Sequence, residues 1–486
     1  MKKLIEKYKR LGVTARASVW FVFCNLMMKG ISVLTVPLFT RLLTTEQYGT
    51  YSLYLSWFNI LTIFTSLNLY YGVFNNAMNR IRDPRGRDVY VSSMQGLVTT
   101  LVLVLTAVTL PFLHFWSRLL GLGEAVLCLM LLHLWAEPCA QFWLARQRFE
   151  FNYRHAVVIT LLKSALNPAL GLWMVLRAES DRAFARILSV VLAELLTAGC
   201  LMVLQFARGR TFFHRKHWKY ALGFNLPLLP HYLSMVVLSQ SDRVMIEKLT
   251  GKSNVGIYSV AYSIGMLVQL FTNAINSSLT PWTYEMLNKK QYGEIRRNAN
   301  MLLCALAGLI ACMLLFVPEA VAIFAAREYY EAVYVVPPVA CSVFFIFLYN
   351  IFAIPQMYFE RQKAMSFASV AAALLNLLLN YIFIGMFGYV AAGYTTVACY
   401  LVYSAGHYIF SRRACMEEIG HFDLYDEKAV LLISLFMLAV SVGVNFLFPH
   451  RLLRYLLAAV AAAGAFRFRR ELLTALLRSR ASGGEK

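Results

Sequence analysis

The sequence predicts an all-α integral membrane protein: about 14 transmembrane helices, with two six-helix lobes related by a parallel repeat around a central cavity. Composition, the spacing of the apolar runs and an internal repeat each point that way. Of the 486 residues, 59% are hydrophobic and 15% charged, with mean hydropathy +0.58. A soluble domain is roughly a quarter charged, so a soluble enzyme, a disordered chain and a disulfide scaffold are excluded. The runs are too long and continuous for the short alternating strands of an outer-membrane barrel.

The apolar runs, bounded by charge clusters, fall near residues 17–40, 46–73, 91–116, 121–144, 156–177, 185–207, 221–247, 254–284, 299–324, 333–359, 364–386, 389–410, 428–448 and 452–466. They divide the chain into a basic N-terminal segment (1–16), an N-lobe of spans 1–6 (17–207), a C-lobe of spans 7–12 (221–410), two further spans (428–466) and a basic tail (467–486). The connecting loops leave no room for a soluble catalytic domain. Lys and Arg total 46 against 25 Asp and Glu. With the N-terminus inside, the basic residues favour the cytoplasmic loops by roughly three to one, which orients both termini to the cytoplasm. The excess positive charge therefore reads as membrane orientation, not as nucleic-acid binding. No cleavable signal peptide is visible, and the first span stays in place. Leu4, Ile5, Tyr8 and Leu11 near the start, and Leu472, Leu473, Leu476 and Leu477 near the end, share helical faces among basic residues, as interfacial anchors do. The nine cysteines sit mostly in apolar runs without a C-x-x-C pair and read as small buried hydrophobes.

Gly49-Thr-Tyr51-Ser opens span 2 and Gly256-Ile-Tyr258-Ser opens span 8, 207 residues on. Ala145-Arg146-Gln147-Arg148 closes span 4 and Glu360-Arg361-Gln362-Lys363 closes span 10, 215 residues on. Both offsets equal six spans, an even number, so the two copies enter the membrane in the same direction.

A charge at mid-bilayer costs about 2.5–3.5 kcal/mol on insertion scales, so such a residue faces an interior and a partner. Lys29, Glu137, Lys163 and Glu194 stand out as charges well inside spans 1, 4, 5 and 6. Matched depths suggest two ion pairs, Lys29–Glu194 and Glu137–Lys163, the latter either structural or part of ion coupling. Lys29 is the candidate for a positive field in the cavity. In span 7, Pro227 and Pro230 break helical hydrogen bonding ahead of Asp242 and Arg243, which suggests a hinge. In span 8, Gln269, Asn273 and Asn276 form a polar stripe. It serves either helix–helix hydrogen bonding or a cavity wall that reads sugar hydroxyls. Arg41 and Lys248 are equivalent in the repeat and are candidates for the outer mouth or gate. No P-loop, D-x-D, H-E-x-x-H or G-x-S-x-G occurs. No catalytic residue, metal site or cofactor is expected.

Three stretches carry a resemblance. Arg41-Leu-Leu-Thr-Thr-Glu-Gln-Tyr-Gly49-Thr-Tyr51-Ser is similar to the first periplasmic turn and second helix of Wzx-type polysaccharide and O-antigen flippases. Ser241-Asp242-Arg243-Val-Met-Ile with Val255-Gly256-Ile-Tyr258-Ser-Val-Ala-Tyr262 resembles the same family more specifically, and Asn376-Leu-Leu-Leu-Asn380 with Gly388-Tyr-Val-Ala-Ala-Gly393-Tyr-Thr-Thr is a third match. The family belongs to the multidrug/oligosaccharidyl-lipid/polysaccharide exporter superfamily. The resemblance implies alternating access of two lobes in the bacterial cytoplasmic membrane. It implies as cargo an undecaprenyl-diphosphate-linked oligosaccharide for capsule, O-antigen or exopolysaccharide. Membrane lipids, and a polysaccharide polymerase with its chain-length protein, are the implied partners. The competing reading is a cation-coupled multidrug exporter of the same superfamily. That branch characteristically carries an acidic residue in span 1, where this chain has Lys29 and none. A membrane polymerase or ligase would carry a long loop, which is absent.

Overall fold

A computed structural model describes residues 12–422 and 424–467, the side chains of 13–15, 17–19, 362–366 and 465–467 aside. The expected interfacial faces at residues 4–11 and 472–477 lie outside the described residues. Among the described residues every element is helical.

The first half comprises α1 (Val13–Thr40), α2 (Thr45–Ser66), α3 (Gly72–Arg80), α4 (Pro84–Thr109), α5 (Leu113–Leu120), α6 (Glu124–Phe149), α7 (Tyr153–Arg177) and α8 (Arg182–Gly209). The second comprises α9 (Arg215–Asn225), α10 (Leu229–Thr250), α11 (Lys252–Gly265), α12 (Gln269–Asn288), α13 (Tyr292–Leu314), α14 (Val317–Phe324), α15 (Val336–Tyr358), α16 (Gln362–Phe387) and α17 (Ala391–Ile419). Two further helices follow, α18 (Glu427–Gly443) and α19 (Arg451–Arg467). A helical segment stands at each expected span. Eleven are long and apolar enough to cross a membrane by length and composition. The segments at spans 2, 12 and 14 fall outside that set. α2 and α17 carry buried polar faces (Ser52, Ser56 and Thr62; Thr395, Ser404 and His407), and α19 is described over 17 residues.

Local chemistry sets the ends. Thr44 and Gln47 form a reciprocal capping box that starts α2, with the Gln47 amide N–H donating to Thr44 Oγ1 at 3.3 Å and the Thr44 N–H to Gln47 Oε1 at 3.1 Å. Asp83 caps α4 with Pro84 behind it. α2 stops at Ser66, earlier than expected, because Leu67 and Asn68 turn left-handed (φ 47° and 52°). The buried Asn225 amide donates to the Leu67 carbonyl at 2.9 Å and satisfies that helix end.

The repeat is visible in the helix ends. α6 ends at Phe149 and α15 at Tyr358; α7 begins at Tyr153 and α16 at Gln362; α8 begins at Arg182 and α17 at Ala391. Each pair is 209 residues apart. The turn after α6 carries a left-handed Phe151 and bonds Asn152 N–H to the Gln147 carbonyl; the turn after α15 carries a left-handed Glu360 and bonds Arg361 N–H to the Gln356 carbonyl. The second sequence match therefore finds the correct turn in the wrong register. Gln147 corresponds to Gln356, not to Gln362.

Two compact units divide the chain, Met1–Val236 and Val237–Lys486, and the division falls inside α10. In the first, Ala136, Cys139 and Ala140 of α6 pack against Ala198 and Leu201 of α8. Small residues there let the backbones approach closely. In the second, α15 is the central helix, and 89% of its apolar window is buried.

Candidate functional site

In the second unit the motif residues of the family resemblance, far apart in sequence, converge. Asp242 on α10 is fully buried. Its carboxylate accepts from the Tyr258 hydroxyl at 2.5 Å, from Asn380 Nδ2 at 2.7 Å and from the Thr396 hydroxyl at 3.0 Å. Ser241 donates to Asn376 Oδ1 at 2.8 Å, and the Thr395 hydroxyl donates to Asn380 Oδ1. One formal charge is thus held by neutral donors from α11, α16 and α17. The next residue, Arg243, is 8% exposed and turns the other way. Its guanidinium lies 4.2 Å from the Tyr262 ring centroid and 5.7 Å from that of Tyr258, and it donates to the Ser239 carbonyl at 3.0 Å. Among the described residues it pairs with no carboxylate. Adjacency in sequence places Asp242 and Arg243 about 100° apart around the helix, so they share Tyr258 and otherwise meet different neighbours.

In the first unit the buried charges arrange differently from the pairing that depth suggested. Lys163 Nζ bridges to Glu194, at 2.6 Å from one carboxylate oxygen and 2.9 Å from the other. Glu137 instead accepts from Gln141 Nε2 at 2.7 Å, and its second oxygen is buried without a partner. Lys29 is exposed and pairs with neither. Depth along a helix leaves the angle around it free, and α7 and α8 turn Lys163 and Glu194 toward each other. Next to them stands a residue the sequence reading passed over. Arg186 on α8 is 3% exposed and, among the described residues, without a carboxylate partner. Its guanidinium lies 4.1 Å over the Phe39 ring and 4.9 Å over Tyr51, and bonds the Tyr51 hydroxyl and Ser189 Oγ at 3.3 and 3.1 Å. It sits near a span end, where an arginine looks like an ordinary loop charge. The signal that could have found it is Tyr51, the repeat partner of Tyr258. Both tyrosines hold an arginine, drawn from different helices.

The other expected site residues are dispersed. Asn273 is exposed, Gln269 half-buried, and Asn276 Oδ1 is buried without a partner. Pro227 sits in a 3-10 turn (Leu226–Leu228) that interrupts span 7, and Pro230 is in the first turn of α10. Arg41 caps the end of α1 and is exposed, and Lys248 is exposed 3.6 Å from Glu247. Among the described residues no cluster of His, Cys, Asp and Glu could hold a metal ion.

Duplicated helical halves with isolated charges buried inside each define a membrane transporter of the two-lobe helical class, not an enzyme fold. Solved structures agree on the fold. The inward closed conformation of the lipid II flippase MurJ superposes with TM-score 0.69 at 12% identity, covering 93% of this chain and all (100%) of that one. An inward-facing multidrug resistance MATE family transporter of the MOP superfamily superposes with TM-score 0.63 at 16% identity, covering 81% and 97%. A protein of the Lsg locus of Haemophilus influenzae is 22% identical over 377 residues, 74% of this chain and 88% of its own. The chain belongs to the polysaccharide biosynthesis protein family, which matches residues 15–287, and the MatE family matches residues 227–382. It is a Wzx-type member of the exporter superfamily, as the motif resemblance implied.

Proposed function

We propose that this chain flips an undecaprenyl-diphosphate-linked oligosaccharide from the cytoplasmic to the outer leaflet of the bacterial cytoplasmic membrane, by alternating access, for polysaccharide assembly. The observation that carries the reading is a pair of buried arginines, Arg186 and Arg243, one in each unit, each cradled by two aromatic rings in place of a carboxylate. Fixed cations kept at a desolvation cost favour an anionic cargo, because phosphate attracts them strongly where the dielectric constant is low. A cationic-drug exporter gains nothing from them, and α1 lacks the acidic residue of that branch. Sugars bring hydroxyls, which the amides Gln269, Asn273 and Asn276 can bind. Asp242, Glu137 and Glu194 are the candidates for cation coupling. With both termini cytoplasmic, the released product passes to a polymerase and its chain-length protein.

The test is reconstituted flipping of a defined undecaprenyl-diphosphate oligosaccharide, read by leaflet-specific glycan cleavage. Wild-type protein is expected to expose glycan in the opposite leaflet, and transport of cationic dyes without any glycan movement would instead support the multidrug exporter. In cells, Lys29→Ala and Arg243→Ala are expected to abolish surface polysaccharide at normal protein levels; unchanged export in both removes the cationic-cargo argument.

A further inference from the structure

A cavity of about 360 Å³ lies wholly inside the first unit, walled by α1, α2, α6, α7 and α8. Among the described residues, its charged lining residues are Arg186, Lys163 and Arg148, and no Asp or Glu lines it. Lys163 is already neutralised by Glu194. Arg186 is not neutralised, and its Nε is buried with no hydrogen-bond partner. An arginine offers more N–H donors than the neutral neighbours here accept. Leaving one buried and unmet is costly, and more so for a charged group. Tyr51 accepts from the guanidinium, so its own O–H is left to donate. Gly171 makes room for the guanidinium: a Cβ there would stand 2.6 Å from Arg186 Nη1 and 2.7 Å from Phe39 Cζ.

The repeat adds an independent argument. At the 209-residue register of the helix ends, Asn167 corresponds to Asn376, Gly171 to Asn380 and Arg186 to Thr395; at the 207-residue register of span 2, Tyr51 corresponds to Tyr258. These are the positions that surround Asp242 in the second unit. The same architectural site therefore holds a carboxylate in one half and a guanidinium in the other. Where the second half saturates its charge with Asn380 and Thr396, the first has glycine in place of that asparagine, and the guanidinium of Arg186, which lines the cavity, takes the space with the Phe39 ring.

We propose that the Arg186 cavity is a binding site for a phosphoryl oxyanion. A planar guanidinium with free N–H groups matches phosphate oxygens in pairs. The cavity follows one face of α7 from Ile159 to Pro168, about 13 Å at helical rise, which fits a diphosphate better than a halide. Arg148, exposed at the α6 end, marks the mouth. That the phosphoryl group arrives on a lipid rests on the flippase reading; the anion site itself does not.

The experiment is calorimetric titration of inorganic pyrophosphate into the purified full-length protein in chloride-free, low-salt buffer. Saturable binding is expected in wild type, weakened at least tenfold in Arg186→Gln and partly retained in Arg186→Lys. Arg148→Gln, altered at an exposed position, is expected to fold and to bind at least threefold more weakly. If Arg186→Gln does not fold, Arg148→Gln decides. No saturable binding in wild type, equal affinity in a folded Arg186→Gln, unchanged affinity in Arg148→Gln, or displacement of pyrophosphate by chloride at equal concentration each overturns the proposal. A short-chain prenyl diphosphate distinguishes the sources: competition with pyrophosphate assigns the site to a lipid-linked donor, and its failure while pyrophosphate binds assigns it to a free anion. Because no transport is measured, a failure of the flippase reading would leave this result standing.

Discussion

A buried arginine and a buried aspartate make different demands on their neighbours. Asp242 is held by hydrogen bonds aimed at its two oxygens, each worth about 1.5–3 kcal/mol when one partner is charged. Asp242→Asn keeps the shape but turns an amide N–H toward one of those donors. It is expected to lower the melting temperature in detergent and to stop flipping; unchanged values of both would mean that the carboxylate charge is idle. Arg186 is held instead by ring faces and by the gap at Gly171. Gly171→Ala is expected to push the guanidinium off Phe39, at about 1–3 kcal/mol of overpacking, and to weaken pyrophosphate binding; unaltered binding would show that the gap is incidental. The sequence disclosed Asp242 and Arg243 because they stand in a recognisable motif. It also carried Asn376, Asn380 and Thr395, but gave them no role, since nothing in a linear pattern says that four helices bring them to one carboxylate. Arg186 was hidden for another reason: its neighbours are aromatic and neutral, so no charge pattern marks it.

At the level of elements, the segments were legible because a bilayer demands long apolar runs, and their ends are fixed by short local motifs such as Thr44–Gln47. Ion pairing was not legible. Helix depth can be counted from the sequence, but rotation about the axis is set by packing, which is why Lys163 found Glu194. The repeat register slipped because four similar residues matched better than the turn they belonged to. The last described helix shows how a segment near the end of the second unit is anchored. Arg454 on α19 is 2% exposed. It bonds Glu319 on α14 through two nitrogens at 2.7 and 2.9 Å and the Leu315 carbonyl at 2.5 Å, while Tyr455 donates to Glu319 at 3.0 Å. Removing one partner of such a pair costs about 3–5 kcal/mol. Arg454→Gln is therefore expected to raise amide exchange along α19 while the exchange of α15 stays at its wild-type level. Equal protection of α19 in the variant would show that apolar contact alone holds it.

For the molecule as a whole, the arrangement of charge bears on what drives the cycle. A lipid diphosphate carries roughly two negative charges, and one elementary charge crossing the full potential is worth about 2.3 kcal/mol per 100 mV. An inside-negative membrane would then favour outward movement of the cargo by about 4–5 kcal/mol per 100 mV if its charge crossed unescorted. Buried cations change that balance. If Arg186 and Arg243 move with the phosphates, net charge movement in the loaded step falls toward zero, and the voltage acts instead on the return of the empty carrier, whose cations it draws inward. A cation taken up beside Asp242, Glu137 or Glu194 would add a chemical gradient to the same step. Flipping in proteoliposomes is accordingly expected to accelerate when an inside-negative potential is imposed. If the rate ignores imposed voltage, Na⁺ and H⁺ gradients alike, the buried charges serve binding alone and the cycle runs down the concentration gradient of its cargo.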